Sequence, residues 1–350
     1  MPPDSKYPHI TETDTEFTTS ITLKNDDLYN NFDIKEKNPK NDVDSYRPSP
    51  TDLAVTPDGN LVVALKTKIY IYSSKTYEHL LTIVNRTAKH NYLLVLSDGK
   101  ILVDDKKENI NIYNITNIKE EKYELFQKIQ LNGTLNCIKE FSDQSIILSI
   151  SGETFQKIEK YILQKDSDKY KKDSQIIKKN IIFGGFIQLN KKQMVVSCKN
   201  EEDKSEYLSY YDLETRQSYA KTEGVPHCLW GFKLDDNYIS FSNSKGIYLI
   251  NLRNHQLVNK YQINYNGGDD MNSMFDICRL NTKMILINDK NGNIIQLKID
   301  EEKIEKYSKT SKTYHQYKNN NLNICRIYTF NNGEIATLAY MDNYCEVKVW

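Results

Sequence analysis

The chain repeats one pattern seven times, and this repeat constrains the fold more than any other feature of the sequence. Each copy contains an apolar residue, a short polar turn, an apolar run and then a strand of alternating polarity. The apolar residue before the turn marks each copy: Val55, Leu96, Phe141, Leu189, Leu234, Leu280 and Phe330. The markers are separated by 41, 45, 48, 45, 46 and 50 residues. Repeats of about 40–50 residues rich in turns are typical of arrays in which each copy is one small sheet.

Turn-forming residues follow every marker, at 57–59, 98–99, 142–143, 190–191, 235–237, 281–282 and 332–333. Gly, Asn and Asp supply the backbone conformations that tight hairpins require. The apolar runs that come next span 61–64, 101–103, 146–148, 194–196, 238–241, 284–287 and 335–338. They are too short for helices and rich in β-branched residues, which favours strands covered on both faces.

Two further strands complete the pattern in most copies. The third strand alternates with period two and is predicted at 69–72, 110–113, 158–163, 208–211, 247–250, 294–297 and 347–350. A more polar fourth strand is predicted at 79–83, 125–130, 257–262 and 304–307. Polar residues suit the outer edge of a sheet because they limit edge-to-edge pairing. The Lys-rich segment 164–179 is predicted to extend a hairpin of the third copy.

The end of the last copy, Asp342 followed by Val347-Lys348-Val349-Trp350, resembles the second half of a WD40 repeat, and Tyr211-Asp212-Leu213 is similar to it. The resemblance implies an all-β fold, a seven-bladed β-propeller of four-stranded antiparallel blades. The Gly-His dipeptide and a full Trp-Asp pair, which belong to the family pattern, are absent. The Asp–His–Ser/Thr–Trp hydrogen-bond network of that family is therefore not expected, and other contacts must hold these sheets.

The last copy stops after its third strand, so its blade lacks an outer strand. Residues 17–23 have strand-forming composition, and we predict that they pair outside 347–350 and close the ring. The expected organisation is a polar tail at 1–16 and a single propeller over 17–350. Its parts are a connection at 24–50, blades at 51–84, 90–130, 134–178, 181–221, 226–262, 271–308 and 324–350, and a loop at 309–323.

Composition argues against several classes of partner. Lys plus Arg and Asp plus Glu both number 47, so net charge gives no reason to expect nucleic acid or an anionic membrane. The six cysteines are scattered, which fits a reducing compartment. The N-terminus is polar and acidic, and no apolar run approaches the ~20 residues of a membrane helix. We expect a cytoplasmic or nuclear protein that is neither secreted nor inserted in a membrane.

The sequence contains no pattern that identifies a catalytic, metal or cofactor site. The six histidines have no ligand spacing, and there is no glycine-rich phosphate loop. The run 266–270 lacks the alternating ligands of a calcium loop. Gly184 and Gly185 lie in a predicted inner strand, where small residues let backbones pack closely. We therefore expect no enzyme activity, no metal and no cofactor.

Two surfaces are candidates for binding partners. The first is the rim where each blade begins: Arg47, Tyr92, Phe183, His227, Trp230 and Met274. Trp, Tyr and Arg dominate binding hot spots, although Trp230 in a predicted strand can instead pack between blades. The second is a loop that interleaves cations with aromatic rings: Tyr307, Lys309, Lys312, Tyr314, His315, Tyr317 and Lys318.

The expected function is a non-catalytic scaffold that binds proteins or peptides, or a subunit of a multiprotein complex. Function does not follow from this fold, so two alternatives stay open. One is a propeller enzyme or small-ligand receptor with its site in the central channel. The other is nucleic-acid binding through residues 307–318, which would depend steeply on salt concentration. The sequence leaves the oligomeric state open.

Overall fold

The computed structural model describes residues 19–24, 52–64, 68–73, 75–84, 92–105, 109–152, 155–178, 181–243, 246–262, 276–281, 283–288, 294–300, 303–309, 316–317, 320–321, 323–329, 335–341 and 344–349. Every regular element in these ranges is a β-strand. No helix in the described part of the chain is long and apolar enough to cross a membrane.

The strands are grouped in seven four-stranded antiparallel sheets within the described residues. The chain begins with β1 (Thr19–Lys24). Sheet 1 contains β2 (Asp52–Val55), β3 (Leu61–Ala64), β4 (Lys68–Tyr72) and β5 (His79–Val84). Sheet 2 contains β6 (Leu93–Val95), β7 (Ile101–Asp105), β8 (Asn109–Asn117) and β9 (Lys122–Gln130). Sheet 3 contains β10 (Thr134–Glu140), β11 (Ile146–Ser151), β12 (Gln156–Gln164) and β13 (Lys169–Lys178).

The second half of the chain repeats this arrangement. Sheet 4 contains β14 (Ile181–Asn190), β15 (Gln193–Asn200), β16 (Glu206–Asp212) and β17 (Ser218–Glu223). Sheet 5 contains β18 (Trp230–Lys233), β19 (Tyr238–Asn243), β20 (Gly246–Asn251) and β21 (Gln256–Gln262). Sheet 6 contains β22 (Ile277–Asn281), β23 (Met284–Asn288), β24 (Ile294–Asp300) and β25 (Lys303–Lys309). A two-stranded pair, β26 (Gln316–Tyr317) and β27 (Asn320–Asn321), precedes β28 (Asn323–Thr329), β29 (Ile335–Met341) and β30 (Tyr344–Val349) of sheet 7.

Sheet 7 combines three C-terminal strands with the N-terminal strand, in the order β1-β30-β29-β28. β1 is antiparallel to β30, with Ile21 opposite Val347. The strand therefore pairs where the sequence predicted, shifted from 17–23 to Thr19–Lys24. That this pair is what holds a ring closed remains a prediction.

Neighbouring sheets pack face to face around the array. Six apolar clusters each combine residues of two adjacent sheets: 7 with 1, 1 with 2, 2 with 3, 3 with 4, 4 with 5, and 5 with 6. Strand β28 also contacts β22 of sheet 6 and β2 of sheet 1. The inner strands are β2, β6, β10, β14, β18, β22 and β28. They are identified as inner strands because they contact one another between neighbouring sheets, for example β2 with β6 and β10 with β14.

Strand β3 shows why the apolar runs are continuous. All four of its side chains are buried. Leu61 and Val63 belong to the cluster shared with sheet 7, and Val62 and Ala64 belong to the cluster shared with sheet 2. Successive side chains of a strand point to opposite faces, so both faces of the sheet lie against neighbours. Each fully buried Val or Leu contributes about 1.5–3 kcal/mol.

In sheets 2, 3 and 5 the turn after the inner strand is closed by a backbone hydrogen bond from the marker residue. Leu96 N–H donates to Lys100 O at 2.8 Å, and Phe141 N–H donates to Ser145 O at 2.8 Å. In sheet 1 the same bond is made by Thr56, not by Val55. The Thr56 side chain also bonds Asp58 within the turn. The turn marker of the first copy is therefore Thr56, one residue after the apolar Val55.

Sheet 3 corrects a second sequence expectation. Residues 169–178 form a full outer strand paired with β12 along its whole length. The Lys-rich segment thus contains the fourth strand of its sheet, Lys169–Lys178, after a short turn at 165–168. Its alternating lysines hid the strand pattern, because an outer strand needs apolar residues on only part of one face.

We predict that removing residues 1–24 destabilises the protein, because β30 then loses its partner and becomes an exposed edge. The lost backbone hydrogen bonds amount to roughly 3 kcal/mol, at about 0.5–1 kcal/mol each. The measurement is urea unfolding followed by circular dichroism. Removing only residues 1–18 is the control, since it leaves β1 intact. Equal unfolding midpoints for both truncated proteins would show that β1 does not stabilise sheet 7.

Candidate functional site

One layer of residues lies at the same position in all seven copies, within the inner strand or just before it and four residues before the turn marker, which is Thr56 in the first copy. The seven residues, here called the mouth layer, are Asp52, Tyr92, Cys137, Gly185, Trp230, Asp276 and Arg326. The strand register supports the alignment: Cys137 is opposite Ser149, Trp230 is opposite Ser242 and Arg326 is opposite Leu338. The mouth layer lies at the end of the inner strands where each sheet begins.

Mouth-layer side chains reach the next sheet around the array. Asp52 Oδ2 accepts a hydrogen bond from Leu93 N–H at 3.2 Å, and Asp276 Oδ2 accepts one from Ile327 N–H at 3.0 Å. In both cases the donor is the residue after the mouth-layer position of the neighbouring sheet. A buried N–H must find an acceptor, so these carboxylates fix the spacing between inner strands.

Tyr92 and Arg326 make longer connections in the same layer. Tyr92 Oη donates to Asn136 O of sheet 3 at 2.6 Å, while its N–H donates to Asp104 Oδ1 at 2.7 Å. Arg326 Nε donates to Asp52 Oδ1 at 3.1 Å, which joins sheet 7 to sheet 1. Burial raises the pKa of the Tyr92 hydroxyl above its usual range, so it acts as a neutral hydrogen-bond donor.

Asp52 and Asp276 lie on either side of Arg326. Burial raises the pKa of Asp52, and Arg326 opposes that shift. Burial also raises the pKa of Asp276 from 3.8 to about 6, again opposed by Arg326 and reinforced by Asp52. A single guanidinium thus faces two carboxylates, and burial disfavours the anionic form of both.

We predict that the Asp276→Asn variant becomes more stable relative to the native protein as pH increases from 4 to 7. The folded-state pKa of Asp276 is above its unfolded value. The contribution of the Asp276 carboxyl group to the free energy of unfolding is therefore fully present below pH 4 and is lost as pH rises through 6. The difference at pH 7 is about 3 kcal/mol, from roughly two pKa units at 1.36 kcal/mol each. Asn retains an oxygen that can accept the Ile327 N–H.

Urea unfolding of both proteins at pH 4, 5, 6 and 7 measures this effect. Asp236→Asn is the control, since Asp236 is 94% exposed and Lys233 lowers its pKa. The Asp236→Asn variant should not become more stable relative to the native protein as pH rises. Parallel stability curves for the native protein and Asp276→Asn would contradict the assignment.

Sheets 4 and 5 approach each other closely at Gly184 and Gly185. Gly185 N–H donates to Cys228 O at 2.8 Å. A Cβ at Gly185 would lie 2.3 Å from Leu229 O, and one at Gly184 would lie 2.2 Å from Cys228 O. The sequence prediction of close backbone packing at this glycine pair is confirmed. The Ser197 hydroxyl accepts the Cys228 N–H at 2.8 Å and completes the junction.

We predict that Gly185→Ala destabilises the protein by about 2–3 kcal/mol, because its methyl group would collide with the backbone of Leu229. Gly152→Ala is the matched control. There the methyl would meet the end of the Phe155 ring, which can rotate away, so the change should be much smaller. Thermal unfolding of both variants provides the comparison. Similar melting temperatures for the two would contradict the close approach.

The opposite end of the inner strands contains a second set of connections, which sequence reasoning missed. The residue just before the marker is polar in copies three to seven, and each one bonds the preceding sheet. Glu140 accepts from Ser97, Gln188 Oε1 accepts from Ser142 N–H, Lys233 donates to Leu189 O, Arg279 donates to Lys233 O and Thr329 donates to Arg279 O. The recurrence of a polar residue at one position was the signal that could have revealed them.

The structure places the predicted rim residues in different environments. Tyr92 and Trp230 lie in the mouth layer, but Trp230 packs against the cluster between sheets 5 and 6, as its alternative interpretation required. Phe183 is 1% exposed and packs edge-on against Tyr211, so it is not an accessible rim residue. Arg47 and Met274 lie outside the described residues. Leu229, which the sequence did not single out, is 49% exposed.

His227 lies beside this junction and is partly buried. Burial lowers its pKa, with opposing effects from Glu206 and Lys199, so the imidazole is held neutral. A Cβ at Gly184 would lie 2.9 Å from His227 Nε2. In the described residues, no three His, Cys, Asp or Glu side chains are grouped to hold a metal ion.

The basic and aromatic loop is only partly described. The backbones of Tyr307 and Lys309 lie in β25, and that of Tyr317 lies in β26. Lys312, Tyr314, His315 and Lys318 lie outside the described residues. Docking or nucleic-acid binding by this loop therefore remains a prediction.

Seven antiparallel sheets packed face to face around their inner strands define a β-propeller. Solved structures confirm the similarity to WD40-repeat propellers at the level of the fold. The WD40 repeats of RRP9 have a TM-score of 0.65 at 10% identity, over 87% of this chain and 95% of that one. The C-terminal WD40 domain of Sif2 has a TM-score of 0.58 at 14% identity, over 85% and 81%.

The fold similarity extends beyond WD40 domains. Hydrazine synthase of Kuenenia stuttgartiensis has a TM-score of 0.64 at 11% identity, over 89% of this chain and 98% of that one. No protein-family model matches the sequence, and no curated protein is similar to it. Identities this low establish a shared fold and no more.

Proposed function

We propose that this chain is a non-catalytic propeller that binds partner proteins at the rim around Leu229, as a scaffold or as a subunit of a larger assembly. The observation that carries the proposal is the exposure of Leu229 on a fixed backbone. Its N–H donates to Ser242 O at 3.2 Å, and its carbonyl lies against Gly185. A large apolar side chain presented rigidly loses little conformational entropy on binding.

The surroundings of Leu229 support this proposal. The neighbouring hairpin of sheet 4 carries exposed Glu201, Glu202 and Asp203, and its base has a Lys199–Glu206 ion pair at 3.5 Å. An apolar centre within a polar and charged border is the usual anatomy of a protein interface. The WD40 propellers with the same fold are commonly interaction scaffolds, which agrees with this assignment.

A receptor for a small ligand in the central channel is the second candidate. It is favoured by one observation: Lys139 extends from the inner strand of sheet 3 and contacts the inner strand of sheet 5. One structural neighbour, hydrazine synthase, is an enzyme, so the fold is compatible with chemistry. Among the residues that the structure describes, no comparable observation favours nucleic-acid binding.

We predict that Leu229→Asp reduces partner capture at least tenfold, because it places a charge at the apolar centre of the surface. The measurement is affinity capture from a lysate of the source organism, with quantitative mass spectrometry of the captured proteins. Leu125→Asp is the matched control, since Leu125 is 53% exposed on the outer strand of sheet 2. Trp230 is less suitable because its replacement would disturb packing.

Both variants should retain the native melting temperature, since both side chains are exposed. Loss of the same proteins from both variants, or from neither, would contradict a binding surface at Leu229.

A further inference from the structure

The segment that links sheet 4 to sheet 5, residues 224–229, holds His227 in a closely packed position two residues before the exposed Leu229. The imidazole lies against Gly184 on the inner strand of sheet 4, where a Cβ would lie 2.9 Å from His227 Nε2. Nε2 is buried and has no hydrogen-bond partner among the described residues. The ring thus fills the space that the glycine leaves open, without a polar contact at this nitrogen.

The uncharged imidazole fits this position, and the charged one does not. In the tautomer with its proton on Nδ1, Nε2 has a lone pair and no N–H group to satisfy. The imidazolium has an N–H at both nitrogens, so its Nε2–H would be buried without an acceptor, which is costly for a charged group. Burial accordingly lowers the pKa of His227. Protonation and the native position of the ring therefore oppose each other.

The charged and titratable groups around His227 come from both sheets. Lys199 and Glu206 of sheet 4 form an ion pair at 3.5 Å. Glu206 opposes the lowering of the His227 pKa, and Lys199 reinforces it. Cys228 and Tyr248, on the side of sheet 5, both interact electrostatically with Glu206, and burial raises the pKa of each. Among these described groups, His227 is the one whose ordinary pKa lies between 5 and 8.

The hydrogen bonds that fix Leu229 lie one and two residues from this ring. Cys228 N–H donates to Ser197 Oγ at 2.8 Å, and its carbonyl accepts the Gly185 N–H at 2.8 Å. Leu229 N–H donates to Ser242 O at 3.2 Å. A displacement of the ring is transmitted through a short length of backbone, so it reaches these three bonds first.

We propose that residues 224–229 form a pH-sensitive latch for the Leu229 surface. At neutral pH the uncharged His227 ring packs on Gly184 and the segment holds Leu229 in place. On acidification the ring takes up a proton and leaves the junction, the segment opens, and partner binding through Leu229 weakens. The inference rests on the proposed function at Leu229 and adds its regulation by pH.

The direction of the effect follows from proton linkage. The pKa of His227 is below 6.5 in the closed segment and returns to its ordinary value once the ring reaches water. The open segment therefore binds the proton more tightly, and the closed segment loses stability as pH falls through 6.5. Between pH 7.5 and 5.5, one proton raises the ratio of open to closed segments by up to about tenfold.

Hydrogen exchange of the Cys228 and Leu229 amides, measured on the full chain by mass spectrometry, tests the latch without a partner. Rates are expressed as protection factors, relative to an unstructured peptide at the same pH, which removes the intrinsic pH dependence of exchange. From pH 7.5 to 5.5 the native protein should lose up to about tenfold in protection at these two amides. The amides of Val62 and Val63 in sheet 1 should show no such loss, because the opening is local.

His227→Gln should abolish the pH dependence, because its amide gains no proton in this range. His79→Gln is the matched control, since His79 is exposed on the outer strand of sheet 1, with its Nε2 2.7 Å from Thr82 Oγ1. That variant should retain the native response. Burial also raises the pKa of Asp276 to about 6, but Asp276 is present in both variants and cannot cause a difference between them. His227→Asn, which is also uncharged, replaces His227→Gln if that variant does not fold.

Protection that is independent of pH in the native protein would overturn the latch, as would an equal loss of protection in the His227→Gln protein. The proteins whose capture requires Leu229 should be captured less at pH 5.5 than at 7.5 by the native chain, and equally by His227→Gln. Equal capture by the native chain at both pH values would overturn the coupling to binding. If Leu229 binds no partner, the exchange result still stands, so the two proposals can fail separately.

Discussion

The burial of both faces of every sheet is the constraint on which the rest of the structure depends. A four-stranded sheet with one apolar face can be covered by a single neighbour. Strand β3, whose alternate residues enter two different clusters, needs a neighbour on each side. The same requirement holds for the apolar runs of the other sheets, which explains why the array continues from sheet to sheet. Apolar burial sets this arrangement but has little directional preference, so it cannot fix the spacing of the inner strands.

Polar contacts between inner strands supply that spacing. At the mouth layer, Asp52 and Asp276 accept an N–H from the next sheet in the same geometry. At the other end, polar residues before the markers bond the preceding sheet, as Lys233 does with Leu189 O. The sequence does not predict the Asp–His–Ser/Thr–Trp network of WD40 blades, and these contacts link the sheets without it. The junction of sheets 4 and 5 instead uses two glycines and the Ser197 hydroxyl.

The fold could be predicted because its signals are local and repeated seven times. Turns such as Asp98-Gly99 and apolar runs such as Ile146–Leu148 are set by backbone preferences and burial, both visible in sequence. The first marker was misplaced because Thr56 holds its turn with a hydroxyl. Strand β13 was missed because an outer strand rich in lysine lacks an apolar pattern.

The candidate site was harder to predict because it depends on how side chains of distant copies meet. Tyr92 and Trp230 were identified by residue type and position. Phe183 shares that residue type, but a shift of register between Phe183 and Phe186 places it inside the cluster between sheets 3 and 4. Leu229 was missed because exposure of a leucine has no sequence signature. The Lys139 contact joins residues 92 positions apart and skips one copy, which no repeat alignment anticipates.

The seven copies share a scaffold and differ where a ligand would touch them. The mouth layer contains Asp, Tyr, Cys, Gly, Trp, Asp and Arg at equivalent positions. Two carboxylates and one guanidinium meet where sheets 6, 7 and 1 adjoin, whereas Lys139 and Lys233 lie among sheets 3 to 5. The chain has no net charge, and the charged side chains of its inner strands, which also include Glu140 in sheet 3 and Arg279 in sheet 6, differ from copy to copy. Uniform copies would give a symmetric channel with no preferred orientation for a ligand. The divergence of the repeats is thus what makes the inner strands of this propeller asymmetric around the channel.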